Sequence, residues 1–294
     1  MAKEKQREKH HLSIVVPVYN EENAIVQTFA DLKEVCKNLN RQNISTEIIA
    51  VNDGSKDKSL KVLRSIEGIN VINNPYNLGY GSSLKRGIRE SSGKWICITD
   101  ADGTYPNKDI PKLMKFANSY DMVVGARVGK HVKIPLIRRP PKWILGLLAN
   151  FLTGKKIPDL NSGLRIFRRE IADEFWNLFP QRFSFTVTIT LACLTSGYPV
   201  KYVPINYFHR KGESSMGPWN FVSFINLMFR IIMYFRPLKF FLVPSLSLLF
   251  LGLVWAIFGV VVEHNITDSS LFIFLTGMLL TYLGFVAELI ARKR

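Results

Sequence analysis

The chain has 294 residues, 47% hydrophobic and 21% charged, which is enough to bury a core and excludes a mainly disordered protein. Its 39 Lys and Arg outnumber 23 Asp and Glu, a net charge of +16 that predicts an anionic partner: nucleic acid, anionic lipid or a phosphate-bearing substrate. Mean hydropathy is still slightly positive, +0.08, so apolar residues must be concentrated somewhere, and they are, near the C-terminus.

The basic N-terminal stretch MAKEKQREKHH leads into an apolar run too short for a secretory signal. That run, LSIVVPV (12–18), is β-branched and reads as a strand. Residues 22–40 carry helix spacing, with Ile25, Phe29, Leu32 and Val35 on one face. EIIAVND (47–53) is a second strand, 55–66 a helix, and INVIN (69–73) a third strand. A helix over 82–90, a strand KWICITD (94–100), a helix over 108–117 and a strand DMVVGAR (121–127) follow. This alternation predicts βαβ units and a largely parallel sheet, with near-continuous apolar strands. Polar residues cluster at the C-terminal ends of those strands, where open α/β sheets bind ligands. Cys36, Cys97 and Cys193 are far apart, with no CxxC pair, so buried thiols in a reducing compartment are expected rather than disulfides or a zinc site.

Between Asp121 and Asp159 stand eight basic residues and no acidic one: Arg127, Lys130, Lys133, Arg138, Arg139, Lys142, Lys155 and Lys156. An apolar stripe, WILGLL (143–148), lies among them, a pattern expected of a helix at a membrane surface. Residues 219–235 are again amphipathic. Residues 240–262 then run without a charge, long enough to span about 30 Å of hydrocarbon, and 271–290 form a second span of apolar residues broken only by Glu288. A transmembrane hairpin is expected. Arg236, Lys239, Arg292, Lys293 and Arg294 flank it, whereas the connecting loop has no Lys or Arg, so both ends and the N-terminal domain are expected in the cytoplasm. The membrane also accounts for the basic charge, and no nucleic-acid motif is visible.

The strongest local feature is TDADGTYP (99–106), which puts Asp100 and Asp102 two residues apart at a strand end. Hard divalent cations take carboxylate and phosphate oxygens together, so the pair can hold Mg²⁺ or Mn²⁺ against a nucleotide diphosphate. Asp53, in VNDGS, can accept from a nucleobase or ribose, or can serve a turn. NLGYG (77–81) reads as a glycine turn into a helix; Leu84 stands where a dinucleotide fingerprint needs its third glycine, and no GxxxxGK[ST] loop exists.

VVPVYNEEN, VNDGS, the NxGxG turn, TDADG, VVGAR and DLNSGLRIF stand in the order found in family 2 glycosyltransferases of the GT-A fold. With the hairpin, the set resembles the polyprenyl-phosphate glycosyltransferases, the group that includes dolichyl-phosphate mannose and glucose synthases. The resemblance implies a GT-A catalytic domain over 12–215 after a basic tail (1–11), an interfacial helix over 216–237 and the hairpin over 238–294. It implies that Pro17, Tyr19, Glu21, Asp53 and Ser162 line the nucleotide-sugar site and that Asp100 and Asp102 bind the metal and donor diphosphate. Arg127 would meet the acceptor phosphate, with Arg138 or Arg139 as a second clamp. Asp159, Ser162, Gly163 and Arg165 match the segment bordering the reacting sugar, and Arg210 would touch the diphosphate, Asp102, Arg127, Arg165 and Arg210 forming the catalytic set. Ser215 replaces a lysine common in relatives.

The implied reaction transfers one sugar, with inversion, from a nucleotide sugar to a polyprenyl or dolichyl phosphate at the cytoplasmic membrane face. The form DADGTYP favours a UDP-sugar such as UDP-glucose; GDP-mannose is the alternative donor. A membrane-tethered nucleotide-sugar-binding protein without turnover is the competing class. The uncharged surfaces of two spans can pack between subunits, so a homo-oligomer is among the expected partners.

Overall fold

The structure is a computed structural model and describes residues 10–127, 146–147, 149–181, 184–208, 229, 232–234, 236–262 and 264–292. The chain divides into two compact units, Met1–Val222 and Ser223–Arg294.

The first unit is built on a seven-stranded sheet in the order β3-β2-β1-β4-β6-β5-β7. Its strands are β1 (His10–Val18), β2 (Thr46–Asn52), β3 (Asn70–Asn73), β4 (Gly93–Ile98), β5 (Met122–Arg127), β6 (Arg165–Arg168) and β7 (Val200–Ile205). β1 pairs in parallel with β2, Val18 opposite Asn52, and with β4, Val15 opposite Ile98. β6 is inserted antiparallel between β4 and β5, Ile98 opposite Arg165 and Val124 opposite Arg165. The expected sheet is therefore mostly parallel, with one reversed strand that the alternation of elements does not announce.

Helix α1 (Ile25–Arg41) buries Ile25, Thr28, Phe29, Leu32, Val35 and Leu39, the i, i+3/i+4 stripe of a helix lying on a sheet. It begins three residues later than its spacing predicts. The N–H groups of Asn20, Glu21 and Glu22 are taken by Ser55 Oγ, Ser59 Oγ and Asp57 Oδ2 at 3.1, 2.9 and 3.1 Å. The same knot shortens α2 (Ser59–Arg64), because Lys56 N and Lys58 N donate back to Asn20 Oδ1 and Glu22 Oε2. Asn20 stands at φ 54°, a left-handed conformation that Asn tolerates better than most residues. Helix α3 (Tyr80–Glu90) starts from Gly79 at φ 99°, which an L side chain would strain. Shorter helices α4 (Ile110–Met114) and α5 (Arg169–Glu174) follow.

Helix α6 (Phe185–Thr195) is buried on all sides over Phe185–Leu194. Three of its four threonines return their hydroxyls to carbonyls four residues back, Thr188 to Ser184, Thr190 to Thr186 and Thr195 to Leu191, so these donors are met within a Thr-rich helix. Cys97 and Cys193 are buried free thiols and Cys36 is half-buried.

The second unit is a pair of helices, α7 (Pro237–Val262) and α8 (Asp268–Arg292), both long and apolar enough to cross a membrane. Only 17% of each apolar window is buried, unlike the mostly buried core helices of a soluble domain, and side chains such as Phe250, Trp255, Phe272 and Leu279 stand outward. The seam between them is lined by small residues at intervals of seven: Ser245, Gly252 and Gly259 on α7, and Ser270, Gly277 and Gly284 on α8, all buried. A Cβ on Gly252 would stand 2.7 Å from the backbone N of Phe274, and one on Gly277 2.9 Å from that of Leu249. The helices thus run antiparallel with their backbones in near contact, the association that apolar solvent permits where hydrophobic burial supplies no drive.

Candidate active site

Four strand ends meet at the C-terminal edge of the parallel strands. β1 ends in the loop carrying Tyr19 and Glu21, both half-buried, while Pro17 is buried inside the strand opposite Val51. Tyr19 and Glu21 therefore remain the residues of this loop able to face a ligand.

β2 ends at Asn52, and the next residue, Asp53, is only 3% exposed. Its carboxylate accepts from Asn74 Nδ2 and from the N–H of Leu78 on Oδ1, and from the N–H of Gly79 on Oδ2, each at 2.9 Å. With three protein donors on a buried carboxylate, Asp53 works as the clamp that closes the 77–79 turn.

β4 ends at Ile98 and leads through Thr99 into Asp100 and Asp102. Asp102 folds its own turn: Oδ1 accepts from the N–H of Thr104 at 3.1 Å and from its hydroxyl at 2.7 Å, and Gly103 sits at φ 71°. Asp100 Oδ1 accepts from the Tyr80 hydroxyl at 3.0 Å. Burial first, and then the charge of Asp100, push the Tyr80 hydroxyl well above its ordinary pKa, so it stays a donor. On the other side, a Cβ at Gly163 would lie 2.7 Å from Asp100 Oδ2. Gly163 in turn donates its N–H to Tyr105 Oη at 2.7 Å. The donor set here is two carboxylates on one short turn, hard oxygen ligands, which fits a divalent cation whose remaining oxygens come from a diphosphate. Among the described residues no cluster of three or more His, Cys, Asp or Glu exists, so such an ion would depend on that diphosphate.

β5 ends at Arg127, which grips Asp159 with both nitrogens of one edge, Nε to Oδ2 at 2.7 Å and Nη2 to Oδ1 at 2.9 Å. Its guanidinium also lies 5.2 Å from the Tyr207 ring centroid, and Tyr207 packs edge-on against Tyr105. Burial opposes both charges, but the hydrogen bonds and mutual attraction outweigh it: Arg127 is held above its ordinary value and the Asp159 carboxyl below it.

The remaining predicted residues take places that sequence does not reveal. Ser162 is fully buried, and its hydroxyl donates to the Gly125 carbonyl at 2.5 Å, stitching the 159–163 loop to β5. Arg165 is 0% exposed. It donates through Nε and Nη2 to the Ser162 carbonyl and through Nη1 to the Thr186 carbonyl and Thr190 Oγ1. These bonds tie Arg165 to the back of the Ser162–Gly163 loop. Arg138, Arg139 and Arg210, the basic stretch after Arg127 up to 145, and most of the amphipathic segment 219–235 lie outside the described residues. Tyr80, Tyr105 and Thr104 are the site residues that sequence reading passes over. All three lie inside quoted motifs, but their partners come from other strands or from the turn itself.

Residues 13–176 match the model of Glycosyl transferase family 2, and residues 236–292 match that of the GtrB C-terminal hairpin. The dolichyl-phosphate hexose transferase of Haloferax volcanii is 29% identical over 211 residues, 71% of this chain and 87% of its own. The undecaprenyl-phosphate 4-deoxy-4-formamido-L-arabinose transferase of Photorhabdus laumondii is 28% identical over 303 residues, 96% of this chain and 89% of its own. Among solved structures, glucosyl-3-phosphoglycerate synthase from Mycobacterium tuberculosis, in complex with Mn²⁺, UDP and phosphoglyceric acid, superposes with a TM-score of 0.55 at 19% identity, over 79% of this chain and 78% of that one. S. aureus TarS in complex with UDP-GlcNAc gives 0.53 at 16% identity, over 77% and 67%. These two likenesses establish the GT-A fold. A family match covering more than half of the chain, on a sheet whose strand ends gather these carboxylates, means that the protein belongs to glycosyl transferase family 2 and is a glycosyltransferase carrying a GtrB C-terminal hairpin.

Proposed function

We propose that the enzyme transfers one sugar from a UDP-sugar, UDP-glucose in the first instance, to a polyprenyl phosphate at the cytoplasmic face of a membrane. The observation that carries this reading is the Asp100–Asp102 turn at the end of β4, on the same chain as a two-helix apolar hairpin. Relatives named as dolichyl- and undecaprenyl-phosphate sugar transferases support the acceptor class, and neighbours crystallised with UDP support the donor.

Tyr19 and Glu21 face the nucleotide in this reading, and Asp102 and Asp100 hold Mg²⁺ or Mn²⁺ together with the donor diphosphate. The cation supplies charge neutralisation for the departing diphosphate. Asp53, Ser162 and Arg165 act through the backbone they hold, shaping the turns at 77–79 and 162–163. Arg127, steadied by Asp159, is the described basic residue assigned to the acceptor phosphate; Arg138 or Arg139 adds to it, and Arg210 serves the diphosphate. A lipid phosphate is already anionic near neutral pH, so it attacks the anomeric carbon without a strong general base. The protein's task is to hold two anions together and in line, which is electrostatics and positioning. In-line attack inverts the anomeric centre.

The catalytic domain is assigned to residues 12–215, the interfacial helix to 216–237 and the hairpin to 238–294. Arg236 and Lys239 before the first span, with Arg292–Arg294 after the second, support a cytoplasmic catalytic domain. The test is incubation of the full-length protein with polyprenyl phosphate, Mg²⁺ or Mn²⁺ and a panel of radiolabelled nucleotide sugars, followed by lipid extraction. Label entering lipid from UDP-glucose is the expected result, abolished in Asp102→Ala. Label from GDP-mannose alone replaces the donor, and nucleotide binding without any labelled lipid replaces the enzyme by a binding protein.

A further inference from the structure

A carboxylate at the mouth of a strand turns about two bonds, so something must hold Asp100 if it is to present fixed oxygens. Tyr80 donates to Oδ1 at 3.0 Å, and Gly163 stands close enough that a Cβ there would lie 2.7 Å from Oδ2. Tyr80 is itself held in place by the turn before it. It is the first residue of α3 and directly follows the two amides, Leu78 and Gly79, that the Asp53 carboxylate clamps at 2.9 Å. A continuous chain of contacts therefore runs from Asp53 at the end of β2, through the 78–79 backbone, to the phenol of Tyr80 and on to Asp100 at the end of β4. The clamp already closes the turn, so the phenolic hydroxyl is not needed for that. Its bond is spent on Asp100. A tyrosine suits this task because its ring carries the hydroxyl on only two rotatable bonds.

We infer that Tyr80 is a positioning residue for Asp100, aiming that carboxylate at the divalent cation and diphosphate of the donor, and that Asp53 acts on the same carboxylate through Tyr80. This rests on the role proposed above for Asp100. Partners that orient metal-binding carboxylates typically cost 10- to 100-fold in metal affinity when removed.

The experiment is calorimetric titration of UDP into the detergent-solubilised full-length protein, with Mn²⁺ and with EDTA. In Tyr80→Phe, which keeps the ring, UDP affinity in Mn²⁺ is expected to fall about tenfold while affinity in EDTA stays at the wild-type value. On an Asp100→Asn background the same substitution is expected to cost nothing further. Asp53→Asn supplies a second variant should Tyr80→Phe fold poorly: it is expected to weaken UDP binding in Mn²⁺ while leaving binding in EDTA at the wild-type value, and to cost nothing further on the Asp100→Asn background. Wild-type Mn²⁺-dependent affinity in Tyr80→Phe, or an equal loss on the Asp100→Asn background, overturns the inference alone. A wild-type protein whose UDP binding ignores Mn²⁺ overturns the role of Asp100 and this inference with it.

Discussion

Arg127 and Asp159 form a bidentate pair across the end of β5, and the same carboxylate also takes the backbone N–H of Arg127 at 3.0 Å. The Asp159 side chain is 3% exposed and the Arg127 side chain 18%, so the pair is nearly out of water. Removing one partner strands the other. Asp159→Ala is expected to cost about 3–5 kcal/mol of stability, more than the pair contributes over an apolar replacement. The folded Asp159 carboxyl lies below its unfolded value of about 3.9, so its contribution is complete above that pH and is lost as pH falls through the lower folded value. Thermal melts from pH 7 down to pH 2 should show this loss in the wild type, and the Asp159→Asn variant should lack it.

Gly163 has a steric reason to be glycine. Its missing Cβ would sit 2.7 Å from Asp100 Oδ2 and 3.1 Å from Cγ, so Gly163→Ala must move the carboxylate. A misplacement of that order is expected to lower kcat by about 10²-fold while the melting temperature moves little. Gly146→Ala, where the added methyl meets nothing within 4 Å among the described residues, is the matched control and should retain full turnover.

The Asp53 clamp can be read without any substrate. Asp53→Ala leaves the amides of Leu78 and Gly79 without their acceptor, and hydrogen exchange at those two positions should speed by about tenfold or more, the equivalent of one lost hydrogen bond of ~1.4 kcal/mol. Unchanged protection at 78 and 79 would contradict the clamp.

The hairpin seam makes a prediction for the second unit. Gly277→Leu forces bulk against Leu249, whose backbone N would lie 2.9 Å from the new Cβ. Overpacking of this kind costs about 1–3 kcal/mol. The variant should still partition with membranes, since both spans remain apolar, but should lose heat resistance in detergent. Leu279→Ala, on the outward face, should change neither.

Much of the fold was legible in the chain because its signals are local. The alternation of apolar runs and helical stripes over 12–127 places five strands and the helices between them, since each element must bury one face against the sheet. Charge-free length alone marks α7 and α8. β6 was not legible as a strand: it is four residues, Arg165 to Arg168, with an arginine at each end, and its reversed direction is set by its neighbours. Nor was α6, because a helix buried on every side has no stripe to read.

The site divides in the same way. Sequence alone determined which carboxylates stand at the strand ends and that Asp100 and Asp102 share one turn, because separation along the chain bounds distance when it is only two residues. Which of the polar residues would face a ligand and which would hold the scaffold was decided by tertiary structure. Asp53, Ser162 and Arg165 look like ligand contacts in the motif, but in the fold they are buried and their groups are met by protein backbone. Tyr80 looks like a turn residue, but it reaches Asp100, 20 positions away. The physical reason is that a polar side chain's role depends on which donors and acceptors surround it once water is removed, and those neighbours arrive from strands distant in sequence.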